Sequence, residues 1–151
     1  MNKNIFIAAP ISGFMESTAY DIFREWALKL IASLRFHGFD VYSELESILS
    51  VSMYDSPEDS IKRDFDFIKM ASVFLIIHPQ RMQSSSLVEL GYACAYNKNI
   101  IIVGSFSNLP YLVKGLPHSN INTKIIDTEC IMTEDTIGRI VSILNNMLLE
   151  Q

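Results

Sequence analysis

Two carboxylates in this sequence occupy positions where a charge needs a reason. In "SSSLVELGYACAYNK", residues 84–98, Glu89 sits among Leu87, Val88, Leu90, Tyr92 and Ala93. No Lys or Arg occurs from 82 to 97, so no neighbour at helical spacing can neutralise it. An unpartnered buried carboxylate costs several kcal/mol, and perturbed acids in clefts are candidates for chemistry. The structural alternatives are a Glu facing solvent or one paired across the fold with Arg81, Lys62 or Arg63. The second acid is Asp64, which shares a helical stripe with Ile61, Phe65 and Ile68. Its structural alternative is a carboxylate that caps a loop amide or pairs with an arginine. Asp66 falls instead beside Lys62 and Lys69 and reads as half of an exposed pair. Two inward carboxylates at one cleft suit reaction at an acetal-like carbon. One attacks or stabilises positive charge, and the other handles a proton or hydroxyl.

The other polar candidates are smaller. Ser84, Ser85 and Ser86 read as helix caps, yet hydroxyls and free amides at a helix start also form a phosphate or ribose-hydroxyl site. The start of that helix is expected to help keep Glu89 ionised. Ser12 and Gly13, in "PISG", could let the backbone approach a ligand closely. His78 ends a strand and either reaches the cleft or is a satisfied loop histidine. Tyr92 and Tyr96, one turn apart, read as core or dimer-interface residues, and the methionines as packing.

Strands and helices must take turns to place these groups. Residues 4–10, 39–43, 72–78, 99–105 and 122–127 read as strands, the third and fourth as continuous apolar runs. Between them, apolar spacing predicts a helix from about Thr18 to His37, ended by Gly38. A second opens at Ser56 with Pro57 in its first turn, and a third spans Ser85 to Asn97. Thr133 caps a last helix with Ile137, Ile140, Val141, Leu144, Met147 and Leu148 on one stripe. Residues 44–55 form a polar, irregular connection and a candidate lid. Apolar strands alternating with helices imply a parallel sheet covered on both faces. The expected fold is an α/β flavodoxin-like (Rossmann-like) three-layer sandwich with five parallel strands in the order 2-1-3-4-5. Its switch point lies between the first and third strands, where ligands sit. That aims the loops "PISGFMES" and "HPQRMQSSS" at the site.

The 151 residues are one domain's worth, 1–151, and 49% hydrophobic content is enough for a core. A net charge of −5 without a Lys/Arg run argues against nucleic acid or an anionic membrane as partner. A small molecule is expected instead. Cys94 and Cys130 signal neither a disulfide framework nor a zinc site, and no metal or other cofactor is implied. The apolar start is too short for a membrane span and lacks the layout of an export signal, so the expected setting is the cytoplasm.

Three segments, in order, resemble the nucleoside 2-deoxyribosyltransferases and the related nucleoside 5'-monophosphate N-glycosidases. "IFIAAPISG" is similar to that family's first strand and sugar-side loop. "DFDFIKMASVFLII" is similar to its Asp-led segment before the third strand, and "SSSLVELGYACAYNKNIIIV" to its Glu-Leu-Gly-x-Ala helix and next strand. The resemblance covers residues 4–105. It implies that Glu89 attacks C1' of the sugar as the base departs, and that Asp64 assists base departure or orients the sugar. Ser12 and Gly13 then belong to the sugar or phosphate loop. Ser84, Ser85 and Ser86 fall where phosphate-binding members carry a serine-rich turn. It also implies a homodimer or larger assembly. Two departures stand out: Ser72 replaces an aspartate before the third strand, and the early loop lacks an arginine, for which Arg81 could substitute. A TIR-like NAD hydrolase and a non-catalytic nucleotide sensor share this frame and remain alternatives.

Overall fold

The computed structural model describes residues 3–51 and 53–149. The expected span of 1–151 therefore includes Met1, Asn2, Ser52, Glu150 and Gln151, which lie outside the described residues. Five strands, β1 (Asn4–Ala8), β2 (Asp40–Tyr42), β3 (Val73–His78), β4 (Asn99–Gly104) and β5 (Thr123–Asp127), form one parallel sheet in the order β2-β1-β3-β4-β5. This is the flavodoxin-like order expected from the apolar runs. Five helices accompany it: α1 (Ser17–Phe36), α2 (Pro57–Met70), α3 (Ser86–Ala95), α4 (Tyr111–Gly115) and α5 (Glu134–Leu149).

The period of two along each strand divides the core into two layers. Ile5, Ile7, Val73, Leu75, Ile101 and Val103 pack with α1 and α5, through residues such as Phe23, Leu30, Ile140 and Leu144. Phe6, Phe74, Ile76, Ile100 and Ile102 face the other way, onto Ile68 of α2 and Leu90 and Ala93 of α3. All six residues of β3 are buried, as a central strand covered on both sides must be.

Local signals set the helix ends. Ser56 accepts a hydrogen bond from the amide of Asp59 at 3.2 Å, with Pro57 at the first helical position of α2. Gly38, at φ 82°, takes the left-handed turn that stops α1, and Asn97, at φ 51°, does the same after α3. The hydroxyl of Thr133 accepts from the amide of Thr136 at 3.2 Å and opens α5. The segment from 105 to 121, which no sequence signal assigned, holds α4 flanked by two single-turn 3-10 helices, 106–108 and 116–118. Each is too short for a 3.6-residue period to show. The 44–55 connection likewise begins with a 3-10 turn, Glu44–Glu46.

Candidate active site

At the carboxyl ends of β1 and β3, a cavity of about 290 Å³ opens between α2, α3 and the loops after β1 and β2. Ile11 and Ser12 follow β1, Glu44 and Tyr54 come from the connection after β2, and Asp64 and Glu89 come from the two helices. This is the switch point of the sheet order.

Asp64 is 4% exposed, and its side chain is hydrogen-bonded to that of Glu89. Two residues four apart on α2, Asp64 and Ile68, are both buried, whereas Ile61 of the expected stripe is half-exposed at the cavity mouth. The hydroxyl of Tyr42 donates to Asp64 Oδ1 at 3.3 Å, and Nε of Arg63 lies 3.5 Å from the same oxygen. Arg63 also bonds to Glu44 and Asp55, so one guanidinium serves three carboxylates. Among the described residues no basic side chain pairs with Glu89; Arg63 is spent on the others.

The electrostatics follow from that imbalance. Burial pushes the Glu89 carboxyl well above the usual carboxylate range, and the charges of Asp64 and Glu44 push it further. Burial raises Asp64 too, against the pull of Arg63 and the bonds that it receives from Glu89, Tyr42 and Arg63. Glu44 is also raised, by burial first and then by Asp64. The helix start was expected to hold Glu89 ionised; the two nearby carboxylates and desolvation outweigh it. Of the two, Glu89 is the more easily protonated.

A second, wider cleft of about 850 Å³ adjoins the first and shares Ser12 and Ser85 with it. The serine run divides its roles differently from the expected cap. Ser84 accepts from the amide of Ser86 at 3.1 Å, and the two hydroxyls lie 2.5 Å apart. Ser86 is buried and lines neither cavity, while the Ser85 side chain makes no cap hydrogen bond and faces both. Gly13 serves a close approach, though of protein rather than ligand: a Cβ there would lie 2.4 Å from the carbonyl oxygen of Gln83 and 2.8 Å from the sulfur of Met82. Arg81 lines this wider cleft and not the carboxylate cavity.

His78, 2% exposed at the end of β3, lies away from the carboxylates, in the wall of a third cleft that also contains Arg81. Burial lowers its imidazole pKa, and its Nδ1 has no hydrogen-bond partner among the described residues. Asp66 pairs with Lys69 at 3.8 Å on the exposed side of α2. Tyr92 stacks on Phe65 with ring centroids 3.6 Å apart, behind the cavity rather than in it.

Sequence reading missed Glu44, Tyr42 and Tyr54, and weighed Arg63 only as a partner of Glu89. The sheet order itself was the available signal for Glu44. It follows the end of β2, which pairs with β1 and so delivers its trailing residues to the same rim.

No family model matches the chain, and no curated protein does. Among solved structures, it is similar to the Clostridium botulinum CMP N-glycosidase BcmB, with a TM-score of 0.68 and 23% identity over 99% of this chain and 100% of that one. It is also similar to BlsM, with a TM-score of 0.70 and 20% identity over 97% of this chain and 93% of that one. At these identities the likeness establishes a shared fold.

Proposed function

We propose that this chain hydrolyses the N-glycosidic bond of a nucleoside 5'-monophosphate through a covalent intermediate on Glu89. The observation that carries the reading is the hydrogen-bonded Asp64 and Glu89 pair in the wall of the switch-point cavity. Two carboxyls that share one proton can act in two roles, one as nucleophile and one as acid. The neighbour named as a CMP N-glycosidase supports the bond class, and the serine-bearing cleft beside the pair supports a phosphorylated sugar.

The shared proton passes across the hydrogen bond to Asp64, leaving Glu89 as carboxylate. A Glu89 oxygen bonds to C1' as the C1'–N bond breaks, and the electron pair leaves with the base, which takes the proton from Asp64. Asp64 then accepts a proton from a water whose oxygen attacks C1', and the ester to Glu89 breaks. The products are the free base and a sugar 5'-phosphate. Glu44 and the ionised member of the pair favour the positive charge that develops at C1'.

Exposed Met70 on α2, Val88 on α3 and Tyr96 just after α3 support the further reading of a homodimer or larger assembly. The free cysteines Cys94 and Cys130 support a cytoplasmic setting. Among the described residues no helix is long and apolar enough to cross a membrane.

The test is to incubate the protein with nucleosides, ribo- and deoxyribonucleoside 5'-monophosphates and NAD, and to follow free base by chromatography. Base from a monophosphate is expected, and Glu89→Ala should abolish it. An exchanged base in the presence of a second free base would mean transfer in place of hydrolysis. Nicotinamide alone would move the assignment to an NAD hydrolase, binding without turnover to a sensor. Release undiminished in Glu89→Ala would remove that residue from the mechanism.

A further inference from the structure

The cavity of the carboxylate pair is one end of a longer groove across the carboxyl edge of the sheet. It meets the wide cleft at Ser12 and Ser85, and the wide cleft meets a third, of about 570 Å³, at Arg81, Met82 and Gln83. Charge changes sign along this path. The first end holds Glu44, Asp64 and Glu89; the far end holds Arg81 and Lys114, and no carboxylate lines it. Lys114 is held in place: its ammonium donates to the Ser107 carbonyl at 3.3 Å and lies 5.4 Å from the centre of the Phe106 ring. Buried His78, with Nδ1 unpartnered, stands in the wall of the same end. Arg81 lines both the wide cleft and the far end, whereas Lys114 lines the far end and not the wide cleft, so a single phosphate in the serine cleft leaves Lys114 without an anion.

We propose that the groove takes a nucleotide with two linked phosphates, the first beside Ser85 and the second between Arg81 and Lys114. This rests on the reading of Asp64 and Glu89 as the sugar end. A nucleoside 5'-diphosphate and a dinucleotide both carry the required pyrophosphate. A cationic end remote from the acids suits such a ligand, because it moves negative charge away from three carboxylates and into reach of two cations.

Calorimetric titration of the Glu89→Gln protein with CMP, CDP, AMP, ADP and NAD tests this without consuming the ligand. The diphosphates should bind about tenfold more tightly than their monophosphates, the scale of one charge-assisted contact at a partly exposed site. Adding Lys114→Ala should erase that preference and leave monophosphate affinity unchanged, while Lys114→Arg should retain it. NAD binding that tracks ADP would mean that a pyrophosphate diester is accepted, and preference for ADP alone that a terminal phosphate is required. Equal affinity for mono- and diphosphates, a preference that survives Lys114→Ala, or no binding at all would overturn the proposal. Base release from monophosphates by the unsubstituted protein without a diphosphate preference sinks this inference alone. A diphosphate preference without any base release sinks the glycosidase reading and leaves the groove assignment standing.

Discussion

Glu89 and Asp64 are held close by two helices, Asp64 buried and Glu89 half-buried in the cavity wall, and the cation beside Asp64, Arg63, is shared with Glu44 and Asp55. The cost of ionising Glu89 in the folded chain is therefore a stability term with a definite sign. Its folded pKa is raised, so the unfolded chain releases its proton first, near the ordinary Glu value of about 4.3. Stability falls as pH rises from there through the folded pKa. Glu89→Gln removes that loss: its Tm should match the parent near pH 4 and exceed it by a growing margin toward pH 8. Each kcal/mol of relief corresponds to about 2–4 °C for a chain of this size. Scanning calorimetry at both pH values checks it, and an equal offset at both would contradict the coupling. Glu89 was legible in the sequence because a lone acid in an apolar helix with no cation in reach is conspicuous. Asp64 was legible from its stripe. Glu44 and Tyr54 were not, since their role depends on where an irregular loop lands in space, and Tyr42, at the end of β2, gains its role only when α2 packs Asp64 against it.

The loops that carry the site depend on a contact between two of them. Gly13, after β1, leaves room for the Gln83 carbonyl in the loop after β3, and both loops line the serine cleft. Gly13→Ala must push them apart or strain them, at about 1–3 kcal/mol for overpacking of this kind. The larger effect should be on turnover: kcat/KM for base release falls, and the fall exceeds what the shift in Tm implies. Steady-state kinetics beside a thermal melt would show it; unchanged kinetics would mean that the loops absorb the methyl group freely. Elements with caps and long apolar periods, such as α1, α2 and α5, could be read residue by residue. The short pieces between β4 and β5 could not, because five residues hold too little periodicity and Pro110 and Pro117 break what there is.

For the molecule as a whole, the sheet is a wall with a hydrophobic layer on each side. Leu75, in the middle of β3 and fully buried, touches the layer beneath α1 and α5. Leu75→Ala should cost about 2–5 kcal/mol, read as a lowered urea midpoint with an unchanged slope. A changed slope would signal that the two layers no longer unfold together. The continuous apolar runs made this architecture readable, for a strand covered on both faces leaves no polar alternation to misread. Arg63, by contrast, has a meaning only the assembled chain reveals, since it grips Glu44 and Asp55 at the two feet of the arch between β2 and α2. With both feet bound to one anchor and Leu45 and Ile48 packed into the core, exposed positions of the span such as Leu49 and Met53 can change composition without shifting the acids below. That makes the arch an interchangeable roof, and a place where descendants of this chain could alter what they admit while keeping the chemistry they perform.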